Sequence, residues 1–514
     1  MRLITGILLW LVFNQAASQH YNVLDYGARN DGSEKATNAI AAAISAAAEG
    51  GGGTIYFPAG DYLTGPIHLK SNITLRIEAG AYIRFSDDFD DYLPMVQSRY
   101  EGIMVKSFSP LIYAYEVENI AIVGSGTLDG QGRKWWNETE RLQGKDAARN
   151  HWQDLHDELN KDVVLPDSPG MIERGFLRPP FIQPMFSKNI RIEGITLVNS
   201  PFWTVNPEFC ENVTIEGVTI NNPPSPNTDG INPSSCKYVH ISNCHISVGD
   251  DCITIKSGKD RDGRRMDAAA ENYTITNCTM LSGHGGVVIG SEMSGGVKKI
   301  TISNCVFDGT DRGIRIKSTR GRGGVVEDIR VDNVIMKNIR KEAIKLNMFY
   351  SQTPPEPVSE RTPIFRNIHF SNISAQGQKA VDLIGLDEMP VKNITFSHMN
   401  FETVEGISIR SASEIEIHEV EVNVKMGPAI RVETTTDLEI NGFKTYSHFQ
   451  DVPSIHLKDV RGGYFTDNRA TEGTGTFLYV EGQSGDILMM ANFLDQAIEK
   501  VRQSKEVKST IKAN

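Results

Sequence analysis

The chain has 514 residues, with 52 Lys and Arg against 64 Asp and Glu, a formal charge of −12 and six Cys. An acidic balance without a basic stretch excludes the electrostatic footprint of a nucleic-acid binder, and with no uninterrupted apolar run of about 18 residues no membrane span is expected. The length is ample for a large core and too great for six Cys to serve as its framework.

In chain order, Arg2, the apolar run Leu3 to Phe13 and the small residues Ala16, Ala17 and Ser18 predict a signal peptide over 1–18 and hence a secreted or periplasmic protein. A solenoid domain is expected over 19–470. Within it, ATNAIAAAISAAAEGGGG (36–53) predicts an Ala-rich capping helix over 36–50, closed by Gly, because a solenoid must cover its open apolar end. Residues 133–185 break the pattern. They are polar and aromatic (Trp135, Trp136, Trp152), end in RPPFIQP, and are expected to be inserted loops packed over one face. A C-terminal extension over 471–514 carries FLDQAIEKVRQSKEV (493–507), which predicts an amphipathic helical tail.

Between these segments one unit recurs: NIRIEGITL (189–197), NVTIEGVTI (212–220), VHISNCHIS (239–247), YTITNCTML (273–281) and ITISNCVF (300–307), with looser copies on to IEIHEVEV (415–422). Each is a short β-branched alternating strand, often followed by an Asn or Gly corner and another strand. A propeller would need antiparallel hairpins, whereas these corners suit a parallel β-helix. Cys244, Cys278 and Cys305 recur at intervals of 34 and 27 residues, and Lys256, Gly290 and Lys317 at the same intervals. The expected fold is therefore all-β, a right-handed parallel β-helix. Asn243, Asn277, Asn304, Asn333 and Asn372 precede the bends and tolerate left-handed backbone. That also makes structural corners the preferred reading of the Asn-x-Ser/Thr matches at Asn212, Asn272, Asn372 and Asn393. Cys244, Cys278 and Cys305 are expected to face inward as a ladder, while Cys210 and Cys236 stack closely enough for a bridge.

Charged residues cluster in four consecutive units: NTDG (227–230), GDD (249–251), GHG (283–285) and RIK (315–317). The same arithmetic stacks Asp250 under His284 and Asp229 under Asp251, so four rungs spanning about 15 Å carry carboxylates, imidazole and cations on one face. In GIRIKS, inward Ile314 and Ile316 aim Arg315 and Lys317 outward. Asp250 and Asp251 have opposite parity, so a bend near Gly249 must re-aim one of them. Glycoside hydrolysis needs one carboxyl group to protonate the leaving oxygen and another to activate water or attack the sugar. Crowded carboxylates also keep at least one proton to higher pH. The adjacent cations suit a sugar that bears a carboxylate.

These four motifs, with NCTMLSGHGGVVIGS (277–291), YNVLDYGARNDG (21–32) and GGGTIYFPAGDY (51–62), resemble the polygalacturonase family, glycoside hydrolase family 28. The resemblance implies Asp250 as general acid, Asp229 and Asp251 as the pair that activates water with inversion, and His284 as the residue that tunes the acid. It implies Arg315 and Lys317 as ligands of a galacturonate carboxylate, with Tyr350 of NMFY as a further substrate contact. Close stacking of the carboxylates would by the usual separation rule favour retention instead. EMSGGV (292–297) and RGRGG (320–324) resemble the exo-acting bacterial branch, and the insertion at 133–185 is placed to wall off the cleft. No metal or other cofactor is expected. The expected partner is an acidic polysaccharide or oligosaccharide, taken by a monomer. The alternatives are a pectate-lyase-like or rhamnogalacturonan-directed β-helix enzyme, and a non-catalytic polysaccharide-binding β-helix such as a tailspike.

Overall fold

The alternation of β-branched residues becomes a stack of parallel strands. In a computed structural model the described residues are 19–144, 147–165, 171–449, 451–507 and 511–513; the expected signal peptide lies outside them. On one face an apolar column climbs coil by coil from Ile182 through Val205, Ile231, Ile253, Val287 and Ile314 to Ile344, Val381 and Ile407. It continues through Ile430, Ile455 and Leu478 to Val501. A second column runs Ile120, Ile190, Val213, Val239, Tyr273, Ile300 and Ile329. Both are buried between the faces except at Val501, which is half-buried, and each buried Ile or Val stabilises by roughly 1.5–3 kcal/mol relative to exposure. The result is the expected right-handed parallel β-helix, the hand that parallel crossovers take.

The corners follow from residue type. Asn243, Asn277, Asn304, Asn333 and Asn372 have φ of 57°, 56°, 55°, 52° and 54°, a conformation Asn adopts at low cost. Successive corners also bond along the stack: Asn189 Nδ2 donates to Asn119 Oδ1 at 2.8 Å, and Asn212 Nδ2 to Asn189 Oδ1 at 2.8 Å. Cys244, Cys278 and Cys305 face inward on successive coils, buried. All six Cys are free thiols, so Cys210 and Cys236 stack without a bridge.

At the N-terminal end the helix Thr37–Glu49 buries Ile40, Ala43, Ile44 and Ala47 against the first coil. The expected insertion holds two helices, Arg133–Leu142 and His151–Leu159, around an aromatic cluster in which buried Trp135 meets Phe89, Tyr92, Phe108 and Phe176.

The C-terminal helical tail is a correction. Glu499–Gln503 pairs in parallel with Thr476–Glu481, and Lys512–Ala513 with Leu488 and Met489, so the described residues of 471–514 add further coils. The helical pattern would have buried Phe493 and Ile498, which are 70% and 90% exposed. The last coil offers a row of open backbone donors and acceptors. Pairing with that edge satisfies the tail's own backbone and sets Val501 on Leu478.

Candidate active site

The four motifs converge on the face of the Ile182–Val501 column. Asp251 begins the strand Asp251–Ile255, directly under Gly285 of Gly285–Gly290. Gly249 and Asp250 form the bend that precedes it, which turns Asp250 toward the same cleft. Gly283 is required by the next coil. Its φ is +149°, and a Cβ there would lie 2.5 Å from the Asp250 carbonyl oxygen, which accepts the His284 backbone N–H at 2.8 Å. One rung below, Gly230 N donates to Asp251 O at 3.0 Å and fixes Asp229 under Asp251.

One oxygen from each of Asp229, Asp250 and Asp251 falls within 4.8 Å of the others. The three environments differ. Asp229 is 3% exposed, and its Oδ2 accepts from Asn232 Nδ2 at 2.9 Å and Thr254 Oγ1 at 3.2 Å. Burial, followed by the Asp250 charge, pushes the Asp229 carboxyl well above the usual carboxylate range. Asp251 is 1% exposed, and its Oδ2 accepts from Lys317 Nζ at 2.8 Å. Burial opposes its charge, but Lys317 and Arg315 outweigh that and hold it below the usual range. Its Oδ1 is buried with no hydrogen-bond partner. Asp250 is the carboxyl that reaches solvent, and its Oδ1 lies 3.1 Å from His284 Nδ1. That hydrogen bond raises the imidazole from its ordinary value.

Arg315 and Lys317 flank the ring of exposed Tyr350, at 5.5 Å and 5.3 Å from its centre. Lys317 is committed to Asp251, whereas the buried Arg315 Nε has no partner. All seven residues singled out from the sequence therefore share one cleft.

Other residues there were not singled out from the sequence as site residues. Lys256, visible only as a column marker, donates to Glu292 Oε2 at 2.7 Å and lies 4.6 Å from the centre of the Trp203 ring. Burial opposes charge on Glu292, but Lys256 and Arg322 keep it well below the usual range. Buried Arg178 donates to the Pro201 carbonyl oxygen at 2.9 Å and to Asn227 Oδ1 at 2.8 Å, which holds the NTDG turn.

At one end of the cleft stands the hairpin Val96–Tyr100 and Ile103–Ser107, whose tip residue Glu101 joins the cleft lining. Its tip accepts a hydrogen bond from Lys259 N to Gly102 O at 3.1 Å, and a Cβ on Gly102 would lie 2.8 Å from that nitrogen. The fit leaves no passage between the tip and the Gly258–Lys259 backbone. Buried Arg99 anchors the hairpin to Glu208 at 2.9 Å. Behind it, Asn160 of the insertion bonds both ways to Lys106, at 2.7 and 2.8 Å, while Ile172 and Leu177 pack on Tyr100 and Val105. The insertion thus buttresses the wall, and the hairpin forms it.

Residues 170–440 match the family model "Glycosyl hydrolases family 28", and residues 20–101 match "Rhamnogalacturonase A/epimerase, pectate lyase-like". The chain belongs to glycosyl hydrolase family 28. It is a glycoside hydrolase. A probable polygalacturonase of Vitis vinifera is 31% identical over 74% of this chain and 73% of its own. A hyperthermoactive exopolygalacturonase from Thermotoga maritima is 35% identical, with a TM-score of 0.68 over 79% of this chain and 91% of that one. An endo-polygalacturonase of Pectobacterium carotovorum is 29% identical over 68% of this chain and 81% of its own, so relatives of both cutting modes are present. Among the described residues no helix is long and apolar enough to cross a membrane.

Proposed function

We propose that this family member hydrolyses α-1,4-galacturonosyl linkages of polygalacturonate or its oligosaccharides, from a chain end and with inversion. The observation that carries the reading is three carboxyl groups in unequal environments beside Arg315, whose buried Nε has no hydrogen-bond partner. Arg315 takes the carboxylate of the sugar at the cleavage point, with Lys317 and Tyr350 beside it. Asp250 protonates the leaving oxygen, since it is the most solvent-exposed of the three carboxyls, and His284 orients it. The proton comes from Asp229, which holds it in the free protein with an oxygen within 4.8 Å of one on Asp250, and passes through a water between them. Asp229 is thereby left as a carboxylate and, with the free Oδ1 of Asp251, takes a proton from the attacking water. Water's oxygen bonds to the anomeric carbon as the glycosidic bond breaks, and Asp229 ends protonated, as it began.

The sealed hairpin end supports the chain-end mode, because a polymer cannot run through it. A time course on polygalacturonate with product sizing tests this. Monomer alone from the earliest points is expected, and a ladder of oligomers would reject it. The product should show no ultraviolet-absorbing double bond, with or without chelator; a chelator-sensitive unsaturated product would establish a lyase. The crowding of the three carboxylates favours a second reading, retention through a covalent intermediate. Proton NMR of the first-formed sugar decides, since inversion of an α-linkage releases the β-anomer. The leader-like residues 1–18 support action outside the cytoplasm.

A further inference from the structure

The sealed end of the cleft holds charge that the cleavage chemistry does not use. Lys256, Arg322 and Lys259 line it, and they differ in how well they are partnered. Lys256 is held by Glu292 at 2.7 Å. Arg322 Nη1 pairs closely with Asp260, and its Nε donates to the Ser291 carbonyl oxygen at 3.2 Å. Lys259 is as buried as these, at 7% exposed. Yet the nearest carboxylate to its ammonium, Glu101 Oε2, stands 3.7 Å away, beyond hydrogen-bond distance. Among the described residues no hydrogen bond fixes either group. Burial pushes the Glu101 carboxyl upward against the pull of Lys259.

A buried ammonium gains most from a close, hydrogen-bonded carboxylate. This one has a loose partner on a hairpin tip and faces the space where an incoming chain must stop. Its neighbours are tied down, so they cannot turn to a ligand without breaking short ion pairs. We propose that Lys259 grips the carboxylate of the chain-terminal sugar, which displaces Glu101 as its closest partner, so that the enzyme selects a chain end bearing a free carboxylate. The inference rests on the chain-end reading above. It gives the cleft two carboxylate-reading points, Arg315 at the bond to be cut and Lys259 at the stop.

The test compares wild type, Lys259→Met and Lys259→Arg on trigalacturonate and on two trimers, each methyl-esterified at one end sugar. A charge-assisted hydrogen bond contributes roughly 10- to 100-fold in binding. Lys259→Met should therefore raise KM at least tenfold on trigalacturonate with kcat within twofold, and Lys259→Arg should recover most of that loss. Esterifying one of the two end sugars should raise the wild-type KM similarly, and Lys259→Met should add less than twofold on that ester. An unchanged KM, an equal fall in kcat, no recovery by Arg, or additive effects of variant and ester would each overturn the proposal. Product sizing on polygalacturonate with the same three enzymes reports separately on the chain-end mode, so a failure of that reading shows as a ladder and is not mistaken for a failure of Lys259.

Discussion

Arg315 and Lys345 stand in register on neighbouring rungs of one strand ladder, over Ile314 and Ile344 of the same apolar column. Lys345 is fully answered: its Nζ meets Glu342 at 2.5 Å and Asp382 at 3.1 Å, and Asp382 is met again by Lys379 at 2.7 Å. Arg315 is not, since its buried Nε lacks a partner and it faces the ring of Tyr350. The same contrast separates Asp382 from Asp251, whose Oδ1 is left open. Both regions carry mixed charge at the same spacing. What distinguishes the site is that its burial exceeds its internal pairing, which costs stability and leaves polar atoms for a ligand.

The largest effect expected from this contrast is on Asp250. Asp250→Asn should lower kcat on polygalacturonate about 10³-fold, measured as reducing-sugar release, with little change in melting temperature. Intact release would end the site assignment. Next comes Asp229, whose carboxyl is raised in the folded state. Such a group contributes its stability below the unfolded value near pH 4 and loses it as pH rises toward the folded value. Asp229→Asn should match wild type near pH 4 and be more stable at pH 7, by roughly 1 kcal/mol in urea unfolding, while inactive. A variant that is less stable at pH 7 would show that the site stores no such cost. Smallest in activity is Lys345→Met on the answered rung. Its kcat should shift by less than twofold, while stability falls by roughly 1–3 kcal/mol because Glu342 and Asp382 lose a close cation in a largely buried setting; a large loss of activity would erase the distinction between the two rungs.

Much of this was legible in the sequence because a solenoid writes three-dimensional neighbours as fixed intervals. Asp250 under His284 and Lys256 in column with Lys317 followed from counting, and the Asn corners from residue chemistry. The cleft wall was not legible. Glu101 and Gly102 belong to a hairpin outside the repeat, and their contact with Lys259 spans more than 150 residues with no interval to betray it. The tail failed for a different reason. Leu494, Ala497 and Val501 have helical spacing, but an open strand edge beside them overrides local preference. Lys256 was found as a marker, while its partner Glu292 depends on side-chain reach across coils, which strand parity does not specify.

A column in which each side chain rests on the one a coil below comes apart as a zip does, tooth by tooth from an end. Exposed Phe493 and Ile498 mark the end where few neighbours hold the teeth together. The cleft rungs, from Ile231 to Ile344, lie far inward from there, with many closed teeth between. Heat or a protease that nibbles at the last coils therefore works on material that cuts nothing, and the geometry at Asp229, Asp250 and Asp251 outlasts the wear.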